Sequence, residues 1–248
     1  MSAQLSEPMP TMALLVGGFA TRLGPMAKHL PKSLLEVAGE PFIAHQLRQL
    51  ADQGITNVVL CCGHLGEAVA DFVGNGSRFG CSVRYSFDGP LPLGTGGAIR
   101  KALSLLGPIF WVMYGDSFLT APFAPALSGF RRSRKAALMT VFRNEDRWDK
   151  SNVYFSNGRI ARYAKQSPSI EMRHIDYGLG IYAAKAFAAW PDGVAFDLSE
   201  LQADLIARGE MAAFEVESRF YEIGSICGLT EANAFLRDRA FPCEGQPS

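Results

Sequence analysis

The chain has 248 residues, 48% of them hydrophobic and 19% charged, a length and balance that exclude a disordered chain and allow one large core. Its 24 basic residues match 24 acidic ones, which argues against a nucleic-acid partner, and no apolar run nears the roughly 20 residues needed to span a bilayer. The N-terminal MSAQLSEPMP carries no apolar leader, so the expected location is cytoplasmic, with no membrane partner.

Residues 1–10 read as a tail, 11–240 as one domain and 241–248 as a second tail. Met12 to Val16 is a short apolar run stopped by Gly17-Gly18, the pattern of a buried strand feeding a loop. Ile43, Leu47 and Leu50 share one helix face, closed by Gly54 at the position of a C-terminal cap. Asn57 to Cys62 is a second buried strand, followed by a short helix near Glu67 to Phe72 and a strand from Cys81 to Ser86. A helix from Ala98 to Leu106 and a strand from Ile109 to Tyr114 complete a βαβ alternation. That alternation predicts an α/β fold: a Rossmann-like, mostly parallel sheet with helices on both faces.

The second half is richer in strands. Asn152 to Ser156, the dipeptide Asn157-Gly158 and Arg159 to Tyr163 form a strong hairpin signal, because Asn-Gly suits the positive φ angles of a type I′ turn. This hairpin is expected as a small strand-rich lid over the carboxyl ends of the parallel strands, where open α/β sheets bind ligands. Further strands are expected at Gly180 to Ala183 and Ala212 to Val216, and helices near Leu198 to Arg208 and Thr230 to Arg237. The basic run Arg131-Arg132-Ser133-Arg134-Lys135 reads as a solvated helix end. Cysteines 61, 62, 81, 227 and 243 have neither zinc-site spacing nor an even number, and read as reduced thiols, mostly in the core.

Four segments carry candidate chemistry. The first is LLVGGFATRLGP from Leu14, followed by Leu30-Pro31-Lys32. A strand ending in glycines lets backbone N–H groups close on phosphates, and Arg22 and Lys32 add charge that a triphosphate needs. Gly-Gly after a strand is, by itself, more often a plain tight turn, and the segment is neither a Walker loop nor a dinucleotide fingerprint. The second is LPLGTGGA, Leu91 to Ala98, whose glycines open a helix and leave free N–H donors; simple turn chemistry explains it equally well. Third, Gly115-Asp116 ends the strand Ile109 to Tyr114, where a carboxylate can hold magnesium or cap the next helix. Fourth is Glu222 in FYEIGS near the C-terminus.

Together these segments resemble the sugar-phosphate nucleotidyltransferase family, whose signature runs G-G-x-G-T-R-L … P-K, over residues 12 to about 238. The resemblance implies the nucleotide-diphospho-sugar transferase fold, a magnesium cofactor, and a nucleoside triphosphate and a sugar 1-phosphate as substrates. By position it assigns Gly17, Gly18, Thr21 and Arg22 to the triphosphate loop and Lys32 to the phosphates at the reacting centre, with Ala20 a departure from the usual glycine. Gly94, Thr95 and Gly96 match the stretch that lies against base and ribose, and Asp88 resembles the acidic residue near the base in many guanylyltransferases. Asp116 and Glu222 match the metal ligands, Glu222 standing where relatives carry aspartate. Lys165 resembles the lysine of an E-K-P segment, with Ala164 replacing the glutamate. Asp176 and Gly180, within HIDYGLGIY, resemble the lining of a sugar pocket.

Within the family the short chain, PLGTGG and Gly-Asp-Ser-Phe most resemble heptose 1-phosphate guanylyltransferases. Uridylyl-, thymidylyl- and cytidylyltransferases remain open, as does a homodimer. At this length the β-helical domain of some relatives is not expected. Three other readings stand beside this one: a nucleotide-sugar glycosyltransferase, which would normally show D-x-D; a non-catalytic homologue, which Ala20, Ala164 and Glu222 would fit; and a Rossmann dehydrogenase, which the glycine spacing disfavours.

Overall fold

In the computed structural model, which describes residues 8–18 and 30–240, the apolar run after residue 10 is strand β1 (Thr11–Leu15). A short antiparallel pair, β2 (Glu36–Val37) and β3 (Glu40–Pro41), precedes helix α1 (Phe42–Asp52) and strand β4 (Asn57–Cys62). Helix α2 (Gly66–Val73), strand β5 (Ser82–Phe87), helix α3 (Gly94–Leu106) and strand β6 (Ile109–Tyr114) follow. Next come β7 (Ser117–Leu119), α4 (Ala124–Ser133), β8 (Ala137–Arg143), β9 (Val153–Ser156), β10 (Arg159–Tyr163) and β11 (His174–Ala183). The chain closes with α5 (Leu198–Ala207), β12 (Met211–Val216), β13 (Phe220–Glu222) and α6 (Ile226–Ala240).

β1 lies between β4 and β6, both parallel to it, and β5 extends the sheet in parallel beyond β4. β11 runs antiparallel between β6 and β8, while β8 and β12 pair in parallel. The mostly parallel sheet expected from the βαβ pattern is therefore observed, with β11 and β10 as its reversed strands. The β9–β10 hairpin forms where Asn157-Gly158 predicts it, both residues at positive φ. It is joined to the main sheet through His174 of β11 opposite Val153, so it continues the sheet as well as walling the site.

Both sheet faces are buried, which is why the strands read as continuous apolar runs rather than as alternation. Met12, Leu14, Trp111 and Met113 face α1, α2 and α4, whereas Ala13, Leu15, Phe110 and Val112 face α3 and α5. Trp111, fully buried, is among the largest anchors of the first face; removing such a side chain typically costs about 3–5 kcal/mol. A third cluster, including Leu35, Val37, Phe118, Ile223 and Leu236, packs α6 against the β2–β3 and β7–β13 pairs. It holds the segments carrying Lys32, Asp116 and Glu222 together.

α1 ends as expected: Gly54 takes φ +80° and the Ile55 N–H reaches back to the Leu50 carbonyl. The basic run closes α4, with Arg134 in the left-handed conformation after the last turn. α4, β8 and the β7–β13 pair are absent from the expectations. β8 (ALMTVFR) is an apolar run without turn signals of its own, and β7 and β13 are three-residue strands that only their mutual pairing defines.

Cys61, Cys62 and Cys81 are buried free thiols and Cys227 is exposed; Cys243 lies outside the described residues. Burial pushes the Cys62 thiol up to about 12, with the nearby Glu67 and Asp88 carboxylates adding to it, and burial raises Cys81 to about 11. The thiolate is the reactive form. Iodoacetamide at pH 8 is therefore expected to label Cys227 and spare Cys61, Cys62 and Cys81 in the folded protein. Peptide mapping by mass spectrometry checks this, and labelling of Cys62 as fast as Cys227 would contradict it.

Candidate active site

The carboxyl ends of β1, β4, β5 and β6 are tied edge to edge. The Val16 N–H donates to the Cys61 carbonyl (3.0 Å), the Asp88 N–H to Cys62 (2.9 Å) and the Gly115 N–H to Leu15 (2.9 Å). Gly115 allows this closeness, since a Cβ there would stand 2.4 Å from the Leu15 carbonyl oxygen. Above these ends lies a cleft of about 350 Å³ lined by Gly17, Gly18, Lys32, Asp88, Gly94, Thr95, Asp116 and Lys165. A second cleft of about 380 Å³ shares Lys32, Tyr114, Asp116 and Lys165 with it and adds Asn152, Asp176 and Glu222. Both volumes suit a small ligand, and the shared residues make one bipartite site. Thr21 and Arg22, with the departure at Ala20, lie outside the described residues.

At the junction Lys32 Nζ donates to Asp116 Oδ2 at 2.7 Å, and the Ser117 hydroxyl donates to Asp116 Oδ1 at 3.2 Å. The turn carrying Asp116 is fixed from below by Gln46 of α1, whose amide donates to the Tyr114 carbonyl (3.2 Å) and the Ser117 carbonyl (2.8 Å). Gln46 is fully buried. It positions this turn and, with Gln49, is one of two glutamines buried among Ile43, Leu47 and Leu50 on α1, a polar pair within an apolar face that is the visible signal for such a role. From the other side the Ile223 N–H donates to the Asp116 carbonyl (2.9 Å), which sets Glu222 beside Asp116. The Glu222 carboxylate is turned into its own loop, accepting from the Gly224 N–H and from the Ser225 hydroxyl (2.6 Å).

Asp88 lies at the far end of the first cleft. Its Oδ2 accepts from the Leu93 N–H (3.1 Å), while its Oδ1 is buried without a partner. Burial pushes this carboxyl above its ordinary value, against the opposing pull of the Leu93 N–H and the Lys101 charge.

Two expectations about glycines need correction. In Gly94-Thr95-Gly96-Gly97 the missing side chains serve the protein's own packing: a Cβ on Gly96 would stand 2.1 Å from the Phe196 ring, and one on Gly94 2.6 Å from the Phe196 carbonyl oxygen. The N–H groups of Gly96 and Gly97, expected to be free donors, both donate to that carbonyl, and the Thr95 hydroxyl accepts from the Leu198 N–H (2.8 Å). Gly94 and Thr95 still line the cleft; Gly96 is buried behind them. Gly180, expected in the sugar pocket, lies inside the sheet between Val112 and Met139, and a Cβ there would stand 2.7 Å from the Tyr182 ring. The glycine lining the second cleft is Gly178. A two-residue slip along a strand conserves the face but changes the depth.

Lys165 follows the hairpin and donates to both oxygens of Asp197 (3.3 and 3.2 Å). Asp197 also caps α5, in a capping box with Glu200. Burial acts to raise the Asp197 carboxyl, but the Ser199 hydrogen bonds and Lys165 outweigh it and hold the group below its usual value. Asp176 accepts from the Gly178 N–H through Oδ1 (3.0 Å), and its Oδ2 is buried without a partner. Burial pushes the Asp176 carboxyl up, with Gly178 and Lys165 opposing the rise. No cluster of three or more histidine, cysteine or acidic groups suited to a metal occurs among the described residues.

A bipartite cleft with lysines and carboxylates at its centre lies at the carboxyl edge of this α/β sheet, the place where open sheets of this kind take ligands. The chain belongs to the nucleotidyl transferase family, whose model matches residues 12–154. It is 29% identical over 230 residues to the N-acetylmuramate alpha-1-phosphate uridylyltransferase of Neisseria meningitidis, covering 89% of this chain and 96% of that protein. It is 24% identical over 220 residues to the mannose-1-phosphate guanyltransferase beta-B of Xenopus laevis, covering 85% of this chain but 60% of that longer protein. In fold it resembles HddC from Yersinia pseudotuberculosis, solved with GMP-PN, with a TM-score of 0.78 at 21% identity, covering 92% of this chain and 100% of that one. It likewise resembles a UDP-glucose pyrophosphorylase from Acinetobacter baumanii, with a TM-score of 0.73 at 19% identity, covering 93% and 94%. Among the described residues no helix is long and apolar enough to cross a membrane.

Proposed function

We propose that the protein transfers a nucleoside monophosphate from a nucleoside triphosphate to a sugar 1-phosphate, with GTP as donor and a manno-heptose 1-phosphate or similar sugar as acceptor. The observation that carries this reading is the convergence of two clefts on Lys32, Asp116 and Lys165. Donor and acceptor phosphates placed from either side would meet there. An acceptor phosphate oxygen forms a bond to the α-phosphorus, the bond from that phosphorus to the bridging oxygen breaks, and pyrophosphate leaves. Such a reaction asks the protein for position and charge more than for covalent chemistry.

In this reading Lys32 offsets charge at the α-phosphate, Lys165 holds the acceptor phosphate, and Arg22 serves the departing pyrophosphate. Asp116, in the turn before β7, and Glu222, on the adjoining β13, are hard oxygen donors of one cleft, a pair that suits magnesium shared with substrate phosphates. Bound there, the ion would neutralise phosphate charge; holding it requires Asp116 to share its bond with Lys32 and Glu222 to turn out of its loop.

The donor base would face Asp88. With Oδ2 taken by Leu93, the open Oδ1 can accept one ring N–H, which guanine and uracil both offer. The lean to GTP therefore rests on the guanylyltransferase relatives, and UTP is favoured by a specific observation of its own, the near-full-length match to a uridylyltransferase. Pyrophosphate release over a grid of four nucleoside triphosphates and several sugar 1-phosphates decides between them. GTP is expected to lead. Activity confined to UTP would replace the donor, and silence across the grid with nucleotide binding retained would favour a non-catalytic homologue.

A further inference from the structure

We infer that the acceptor is a sugar 1-phosphate with no negative charge on the sugar itself, and that Asp149 is a specificity residue that turns away sugars bearing a carboxylate. The inference rests on the nucleotidyl-transfer reading and narrows its substrate class.

The second cleft is lined by four carboxyl groups, Asp116, Asp149, Asp176 and Glu222, against two cations, Lys32 and Lys165. Each lysine already has a carboxylate partner, Asp116 for Lys32 and Asp197 for Lys165, and both belong to the phosphate end. Whatever charge Asp116 and Glu222 come to neutralise, Asp149 and Asp176 remain for the sugar. They can accept hydrogen bonds from hydroxyls, and Asp176 presents a buried oxygen without a partner. A sugar carboxylate would find the Asp149 charge and the buried Asp176 carboxyl there and, among the described lining residues, no spare cation.

Asp149 is held in this position by a built loop. Asn144, fully buried, donates through its side-chain amide to the Asp149 carbonyl (2.6 Å) and to the Ser151 hydroxyl (3.2 Å). That hydroxyl accepts from the Asp146 N–H (3.0 Å), and the Ser151 N–H donates back to Asp146 (2.7 Å). The Lys150 N–H donates to the Asp149 carboxylate itself (2.7 Å). These bonds fix the backbone that carries Asp149 at the cleft, and its exposed carboxylate is held by the Lys150 N–H.

The test compares matched acceptors with the best nucleoside triphosphate. The best neutral sugar 1-phosphate is set against its counterpart with the terminal CH₂OH oxidised to a carboxylate, and N-acetylglucosamine 1-phosphate against N-acetylmuramate 1-phosphate. Pyrophosphate release with the carboxylated member is expected at kcat/KM at least about tenfold lower, and Asp149→Asn is expected to narrow that gap at least about threefold. A carboxylated sugar that is the best acceptor, or a gap below tenfold, overturns the inference while leaving nucleotidyl transfer intact. A gap unmoved by Asp149→Asn overturns the role of Asp149. No pyrophosphate from any acceptor removes the transfer reading and this inference with it.

Discussion

Asp116→Ala is expected to lower the rate of pyrophosphate release by about 10²–10³-fold or more, the loss typical when one charge-stabilising group is removed from a preorganised site. Two consequences combine. The variant loses the carboxylate that faces both clefts, and it leaves Lys32 without the partner 2.7 Å away that aims it across their junction. Stability should change little: the Asp116 side chain is 40% exposed and that of Lys32 15%, and a partly exposed pair is typically worth about 1 kcal/mol. The backbone of the turn remains held by Gln46 and by the Ile223 N–H, neither of which uses the Asp116 side chain. Steady-state rates alongside a thermal melt make the check. Near-normal turnover would remove Asp116 from the chemistry, and a collapsed melt would make it a structural residue instead.

For Gly96→Ala the expected effect is on stability. The new methyl would meet the Phe196 ring at 2.1 Å, and that ring is buried and stacked on Trp190 with centroids 4.2 Å apart, so it has nowhere to swing. Alanine within α3 gains roughly 0.5–1 kcal/mol of helix propensity over glycine, but forced overpacking costs typically about 1–3 kcal/mol, so destabilisation wins. In a domain of this size the melting temperature falls by roughly 2–4 °C per kcal/mol. Gly96→Ala combined with Phe196→Ala should be less damaging than the sum of the two, because each relieves the other. A Gly96→Ala protein with an unchanged melt and a raised KM for nucleotide would show instead that the glycine serves the ligand.

These two residues mark the difference between what pattern and position can say. Asp116 is marked in the sequence by its resemblance to the family's Gly-Asp motif, since a carboxylate at the end of a buried strand could as well cap the next helix, and the structure places it in the lining of both clefts. Gly96 is legible as a glycine but not as to purpose, since its neighbour is Phe196, a hundred residues away. Glu222 was expected beside Asp116 and is there, yet its carboxylate is turned into its own loop. Gly180 was expected at the sugar and is inside the sheet.

By itself, then, the order of apolar runs and glycine stops determined the parallel strands, their helices and the edge at which the cleft lies. Strand and helix formation follow local periodicity, and the strand ends follow from βαβ handedness. Only the tertiary structure decided which groups are free to act. It assigned the Gly96 and Gly97 amides to Phe196, Lys165 to Asp197 and the floor of the Asp116 turn to Gln46. It also set Asp149 in the cleft through Asn144 and Ser151. Apart from that last loop these pairings link segments separated by tens of residues, and hydrogen-bond partners at such range depend on packing rather than on any spacing along the chain.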